Sequence, residues 1–586
     1  MVLTVWHVSG TGASPAVVPF RRFSPRRAGQ TGVRTTHPAG GSGVTPPYAA
    51  DPVEGRYLMR TVDAVVIGAG HNGLVAANLL ADAGWDVLVL EATGGAGGSV
   101  RTGELTVPGF RHDTCSAFYP LGVASPVLRG LDLESYGLVW RHAPAVLAHV
   151  LPDDRCAVLS RDPAETAESV AAFEARDGQA WLDEVSRWRR VSEPLLDAML
   201  RPFPPVRAGA RLLRALGAAD ALRFARMAIQ PVEDYGREQF RGAGAQLLLA
   251  GNALHTDLGT GQAGSAIFGW LLAMLGQSVG FPVPVGGGGR IAEALLRRFE
   301  ARGGTVEYGR AVTRVLHARA TAVGVQDVHG DRVRARRAVL ADVPAPTLYE
   351  QLVGLSALPA AMAGDLRRFQ WDPATIKIDW ALSGPVPWTA AGARRAGTIH
   401  LGADMPGLAE YSSELARGLL PGRPFLLLGQ MTTSDPSRSP TGTESVWAYS
   451  HVPQRMAGDT GRMREHAERM EEVIERRAPG FRSSVLARHV QLPGDLQRHN
   501  PSLFGGAVNG GTAALHQQLF FRPVPGLARA DTPIDRLYLA SSSAHPGGGV
   551  HGAPGANAAR AALARDGAAG PAYAAVIAAL HRRLYG

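Results

Sequence analysis

Lysine is almost absent from this chain: among its 60 basic residues Lys377 is the single lysine, and the rest are arginine. With Ala and Gly also abundant, the bias points to a GC-rich coding sequence more than to a function. Cysteine is scarce too, with Cys115 and Cys156 far apart and no CxxC or CxxxxC pair. Thiol–disulfide exchange needs an attacking and a resolving sulfur, so a dithiol-using reductase is excluded, and structural zinc of the thiolate type with it. No metal site is expected. Long hydrophobic runs are missing as well: the longest candidate, Ile267 to Leu275, falls far short of the roughly 20 apolar residues that cross a bilayer. It reads instead as a buried helix or the wall of an apolar cavity.

The net charge of +9 is unevenly spread. Residues 1–60 hold seven arginines against Asp51 and Glu54, so the body beyond them carries about +4, a mild excess that needs no nucleic-acid partner. This leader is rich in Gly, Pro, Ser and Thr without periodicity and reads as disordered. Arg21-Arg22-Phe23 resembles a twin-arginine signal, but no apolar stretch follows, and Pro and Gly spoil the amphipathic helix of a mitochondrial presequence. The simplest reading starts translation at Met59 and leaves residues 1–58 without a role. Export is not expected, and a cytoplasmic location is. A length of 586 residues suggests two or three domains, or one interrupted by insertions.

What the chain does have is a complete nucleotide-binding signature from Asp63 to Glu91, DAVVIGAGHNGLVAANLLADAGWDVLVLE. Ala64 to Ile67 is the continuous apolar run of a strand buried on both faces. Gly68, Gly70 and Gly73 follow as GxGxxG. The first permits a tight turn, the second lets a pyrophosphate approach the backbone, and the third lets the helix Leu74 to Ala83 pack on the strand. Free N–H groups of the helix's first turn, backed by its dipole, face the phosphates. Val87 to Leu90 make a second strand, and Glu91 stands where an acid accepts hydrogen bonds from a ribose diol and repels a 2′-phosphate. These residues predict a bound dinucleotide, FAD or NAD. Gly94, Gly95, Gly97 and Gly98 then precede Arg101, a loop whose amides approach a ligand while the guanidinium pairs with a phosphate.

Residues 141–283 change character into amphipathic helices: Glu165 to Phe173, Trp181 to Leu200 with a break or kink at Pro194, and Ala208 to Ala228. In the last, Leu212, Leu213, Leu216, Leu222 and Met227 can share an apolar face while Arg211, Arg214, Arg223 and Arg226 point elsewhere. A solvated face is the ordinary reading, and peripheral membrane contact is the alternative. Glycines recur from Val285 to Arg290, but Pro282 and Pro284 argue against a central strand there, so no second Rossmann fingerprint is read. Thr305 to Tyr308, Ala311 to Leu316, Ala322 to Val328 and Arg332 to Leu340 alternate as strands. A second insertion over residues 347–496 predicts a sheet flooring a cavity, from Thr375 to Leu382, Phe425 to Thr432 and Val446 to His451, and a charged helix from Gly461 to Arg477. Trp371, Trp380, Trp388 and Trp447 cluster there, as lining of an apolar site or as core. Finally, Leu537 to Arg560, LYLASSSAHPGGGVHGAPGANAAR, runs through a strand and three glycines into a helix starting near Pro554. That helix end suits the pyrimidine side of a flavin, where negative charge develops on reduction.

Taken together, GAGHNGL with its downstream acid, EA…GG…RT and the C-terminal HPGGGVHGAPGxNAA resemble the phytoene desaturase-like flavoproteins, most of all their phytoene dehydrogenase-related branch, over about residues 61–565. The resemblance implies an α/β fold in which a discontinuous Rossmann-type FAD-binding domain carries an inserted α+β substrate domain, an architecture shared with amine oxidases. The FAD-binding parts would be residues 61–140, 284–346 and 497–586, and the substrate parts 141–283 and 347–496. Gly68, Gly70 and Gly73 would hold the pyrophosphate of FAD, Glu91 the adenosine ribose, and Gly98 and Arg101 would sit by the phosphates. Val312 would contact adenine through its backbone, and Gly548, Gly549 and Val550 would sit beside the flavin ring. The chain departs from the family pattern twice. The usual GGR is Gly97-Gly98-Ser99, and the glycine-containing strand end before the last motif is Ala540-Ser541-Ser542-Ser543-Ala544.

The implied chemistry is hydride abstraction from an apolar, lipid-like or polyene substrate to flavin N5. Such a step needs a C–H held in a dry pocket more than a strong acid or base. His545 and His551 are the titratable candidates beside the ring, as proton carriers or as loop fixtures. Oxygen or a quinone is the expected electron acceptor, since no second nucleotide site is visible. Two alternatives stay open: an amine-oxidase-like enzyme, marked by an aromatic pair facing the flavin, and a non-catalytic flavin-bound regulator.

Overall fold

Strand β1, Arg60–Ile67, begins the described part of the protein, residues 60–586 of a computed structural model. The expectations for the basic leader and for Met59 lie outside these residues. From Ala64 onward β1 is buried on both faces, which is why its sequence is continuously apolar there. Gly68, at φ +94°, turns the chain into α1, His71–Asp82, which is followed by β2, Val87–Leu90. Strands β3 (Ala145–Val150) and β4 (Cys156–Leu159) come next. The helices that follow include α2 (Asp177–Leu200), α3 (Val206–Leu216), α4 (Ala218–Ile229), α5 (Ala243–Ala253) and α6 (Ser265–Val279). Helix α7 (Gly289–Glu300) leads to β5 (Thr305–Glu307), β6 (Val312–Ala318), β7 (Thr321–Asp327) and β8 (Arg332–Ala341). Then come β9 (Ala374–Leu382), β10 (Ala396–Leu401), β11 (Leu426–Gln430), β12 (Glu444–Val452), α8 (Thr460–Arg477) and β13 (Val485–Gln491). The last elements are β14 (Leu537–Leu539), α9 (Ala553–Asp566) and α10 (Gly570–Tyr585).

These strands form two seven-stranded sheets. The first has the order β6–β7–β8–β1–β2–β5, with β14 paired to β8, and its strands β5, β2, β1, β8 and β14 are parallel. It gathers three separated stretches of chain, so the Rossmann-type layer is discontinuous, as expected. The second has the order β13–β9–β12–β11–β10–β3–β4 and is antiparallel except between β10 and β3. Helices α2 to α6 pack on one face of it and α8 on the other.

The structure decides three local expectations. Helix α2 runs through Pro194 without ending, because Trp181, Val185, Trp188, Val191, Leu195 and Leu196 bury one continuous face that outweighs a single lost backbone bond. Ala208 to Ala228 is two helices parted by Gly217 at φ +74°, a conformation open to glycine. The break resets the helical phase: Leu212, Leu216 and Met227 pack inward, while Leu213 and Leu222 are 60% and 76% exposed beside the arginines. The tryptophan cluster also divides. Strand alternation points Thr375 and Lys377 to one face of the second sheet and Ile376, Ile378 and Trp380 to the other, under α8. Trp380 and Trp388 are core, donating to Glu471 Oε1 and Gln430 Oε1 at 2.9 Å each, and Trp371 stacks on Phe504.

Candidate active site

A cavity of about 610 Å³ opens at the carboxyl ends of β1, β2 and β8, where parallel sheets place their ligands. Ile67, Gly68, Gly70, Glu91, Gly98, Arg101 and Val312 line its nucleotide part, and Gly548, Gly549, Val550 and His551 line it from the C-terminal loop. Ten of the twelve sequence-predicted residues are thus brought to one space. Gly73 and His545 are the exceptions.

Gly73 works from beneath: a Cβ there would stand 2.2 Å from the Gly68 carbonyl oxygen, so only glycine lets α1 close on the turn. Helix α9 makes a matching approach, since a Cβ on Gly555 would lie 1.9 Å from the Asn72 carbonyl oxygen. The N-terminal turns of α1 and α9 therefore abut, although they come from opposite ends of the described chain.

Glu91 is held by its neighbours. Its Oε2 accepts from the Ala69 amide at 2.8 Å, and its Oε1 accepts from the Thr93 amide and hydroxyl at 2.9 and 2.7 Å. A carboxylate has about four acceptor sites, so one remains on Oε2 for a ribose hydroxyl. Arg101 lines the cavity, but its guanidinium donates to the Ala96 carbonyl at 3.1 Å, to Thr93 Oγ1 at 2.6 Å and to the Gly95 carbonyl. In this structure its Nε and Nη2 tie the glycine loop to Thr93.

Two residues escaped sequence reasoning. Asp342, directly after β8, accepts from the Gly73 amide at 2.8 Å and would meet a Cβ on Gly70 at 2.5 Å. Burial, followed by the charge of Glu91, pushes its carboxyl up to about 7. An acid straight after an apolar strand was the available signal. His71, a variable position of GxGxxG, places Nε2 at 3.3 Å from the Gly549 carbonyl oxygen.

The two candidate histidines part company. His551 lines the cavity, and its Nδ1 accepts from the Ala553 amide at 3.1 Å, which assigns the neutral tautomer with the proton on Nε2. Burial pushes it down to about 3. His545 instead bonds through Nε2 to the Arg201 carbonyl at 2.9 Å, a loop fixture outside the lining.

The remaining walls are apolar. Phe268, Leu271, Leu272 and Leu275 of α6 face Leu427, Trp447 and Tyr449 of the second sheet, so the apolar run Ile267 to Leu275 is indeed a cavity wall. The Trp447 and Tyr449 rings lie 5.9 Å apart at an interplanar angle of 7°. A ligand held between two rings needs about 7 Å, so these rings stack on each other and enclose no slot. Lys377, also in the lining, pairs with buried Asp379, and although burial alone would raise that carboxyl, Lys377 and His112 hold it low.

This geometry has known counterparts. Residues 66–131 match the NAD(P)-binding Rossmann-like domain family. The chain is 30% identical over 542 residues to pyridine nucleotide-disulfide oxidoreductase domain-containing protein 2 of Rattus norvegicus, covering 85% of this chain and 92% of that protein. The chain belongs to that family of oxidoreductase-domain proteins. It is also 25% identical to the lycopene-forming phytoene desaturase of Pseudescherichia vulneris, over 85% of this chain and 98% of that enzyme. Among solved structures, a wild-type putrescine oxidase bound to putrescine superposes with a TM-score of 0.53 at 16% identity, covering 86% of this chain and 99% of that one, which fixes the fold. The disulfide chemistry in the family's name has no counterpart here. Cys115 and Cys156 are both unpaired, and burial pushes their thiols up to about 11 and about 12.

Proposed function

We propose that the protein is an FAD-dependent dehydrogenase that removes hydride from an apolar, lipid-like or polyene substrate. The observation that carries this reading is the continuity of the cavity: the residues of the dinucleotide motifs and the apolar side chains of α6, β11 and β12 line one space. The donor set fits FAD. Glu91 Oε2 would take a ribose hydroxyl, the Gly70 amide and the head of α1 would take the pyrophosphate, and Gly548 to Val550 would flank the ring system. When bound, FAD supplies the acceptor for the two electrons of a dehydrogenation.

The chain's own residues position and dry the substrate. Phe268, Leu271, Leu272, Leu275 and Trp447 exclude water and hold an apolar chain, and His551, neutral at physiological pH, can donate from Nε2 but stores no proton. The acids of the lining, Glu91 and Asp342, both stand at the nucleotide part, so an ammonium substrate finds no carboxylate among the described residues that line the apolar part. With the stacked Trp447–Tyr449 pair, this favours desaturation over amine oxidation. Oxygen or a quinone completes the cycle in this reading. The test is the visible spectrum of purified protein and its titration with FAD: flavin absorbance, or saturable FAD uptake, supports the reading, and a colourless protein indifferent to FAD refutes it.

A further inference from the structure

Where α5 meets β10, the apolar cavity contains a polar corner that dehydrogenation of a hydrocarbon does not use. The two elements touch closely: a Cβ on Gly251 would stand 2.2 Å from His400 Nδ1, and His255, just beyond α5, meets His400 with the two Nε2 atoms 2.8 Å apart. Asn252 follows Gly251 on the helix, and Thr398 precedes His400 by two residues on the same face of β10. Asn252, His255 and Thr398 all line the cavity.

Two of these side chains are buried and have polar atoms without a partner. Asn252 is 0% exposed and its Oδ1 is unpaired; Thr398 is 1% exposed and its Oγ1 is unpaired. A buried polar atom left without a hydrogen bond costs roughly 1–3 kcal/mol, so such atoms in a ligand cavity mark where a ligand's polar group belongs. Their chemistry narrows the ligand. Asn252 Nδ2 donates to the Leu248 carbonyl at 2.8 Å, and a flipped amide would set oxygen against oxygen, so the free atom is an acceptor. The ligand must therefore donate a hydrogen bond. Thr398 Oγ1 can accept or donate in return.

The corner also selects on charge. Burial pushes His255 down to about 3 and His400 well below its ordinary value, so both imidazoles are neutral at physiological pH. Lys377 is neutralised by Asp379. Neither a carboxylate nor an ammonium finds a free counter-charge here.

We propose that Asn252 and Thr398 form a subsite for a hydroxyl group, and that the substrate is an apolar chain bearing an alcohol. This rests on the apolar-substrate reading above and deepens it. The competing occupant is water, which would fill the corner in every complex and discriminate nothing.

The sign of one comparison decides between them. In a dry apolar cavity with no partner, burying a hydroxyl costs free energy, so an alcohol should bind more weakly than its parent hydrocarbon. A built subsite reverses that order. Purified protein is titrated, by quenching of tryptophan fluorescence with Trp447 in the lining, with farnesol and with the same hydrocarbon skeleton lacking the hydroxyl. Farnesol should bind tighter by about five-fold or more. Thr398→Val, which keeps the side-chain shape, should cut that preference at least by half on a logarithmic scale. Asn252→Leu should do the same and serves as a second variant if the first folds poorly. Equal or tighter binding of the hydrocarbon overturns the subsite alone, whereas failure of both probes to bind overturns the apolar-substrate reading itself.

Discussion

His71 Nε2 lies 3.3 Å from the carbonyl oxygen of Gly549, joining the first glycine loop of the protein to the last across 478 positions of sequence. The carbonyl can only accept, so His71 donates. His71→Leu removes the donor and should weaken FAD binding by about 0.5–1.5 kcal/mol, a few-fold in Kd, with no loss of fold. FAD titration followed by flavin fluorescence gives the answer. An unchanged Kd would mean that packing of Gly555 on Asn72 suffices to join the loops.

Glu91→Gln replaces an acceptor-only group with one that is half donor, facing the Ala69 and Thr93 amides as well as the ribose site. Loss of the charge-assisted bonds should cost roughly 1–3 kcal/mol of FAD affinity. Retention of wild-type affinity in the same titration would show that Glu91 serves the Gly94–Gly98 loop and not the cofactor.

Gly73 and Gly94 offer a matched pair. A Cβ at Gly73 would stand 2.2 Å from a backbone oxygen, whereas one at Gly94 meets nothing within 4 Å. Gly73→Ala should destabilise the protein by roughly 1–3 kcal/mol, and Gly94→Ala should be near neutral. Chemical denaturation of the two variants side by side measures this; equal midpoints would contradict the close approach of α1 to the turn.

The βαβ unit was legible because its signals are local: strand, glycines, helix and acid follow one another within 29 residues, Asp63 to Glu91. The strands of the first sheet, and β9, β11 and β12 of the second, were legible for the same reason, whereas β3, β4, β10 and β13 were not read. Asp342 was not, because it joins the site only when β8 docks parallel to β1 with Ala341 opposite Ile67, a pairing no local pattern carries. Neither was the fate of the tryptophans, which turns on strand parity once the buried face is known. Gly217 was visible in the sequence, yet without its positive φ the apolar residues on either side of it fall on one imaginary face. Asn252 and Thr398 gave no signal, since an unpaired atom is a property of packing.

Stability should fall as pH drops below neutrality. Burial lowers His71, His149, His451 and His545 to about 4 and His255, His466 and His551 to about 3, against 6.5 for an ordinary histidine. Between those values the unfolded chain binds more protons than the folded one, so the stability these groups contribute is full above pH 6.5 and is lost as pH falls toward 4. Asp342 and Asp372, raised to about 7 and about 6, act in the opposite direction but are outnumbered. Thermal unfolding of the protein should show a lower Tm at pH 5 than at pH 7.5. A Tm that is flat or higher at pH 5 would show that the histidines are not held neutral.

Oxidation of an apolar substrate in this cavity, with FAD bound, is the reaction proposed above. Its most direct test is anaerobic mixing of the FAD-loaded protein with a panel of polyenes, isoprenoid alcohols, fatty acyl compounds and amines, followed at the flavin's visible absorbance. An apolar member of the panel should bleach the flavin, simple amines should not, and the yellow colour should return when oxygen or a quinone is admitted. Bleaching by amines alone, or by no member of the panel, would contradict it.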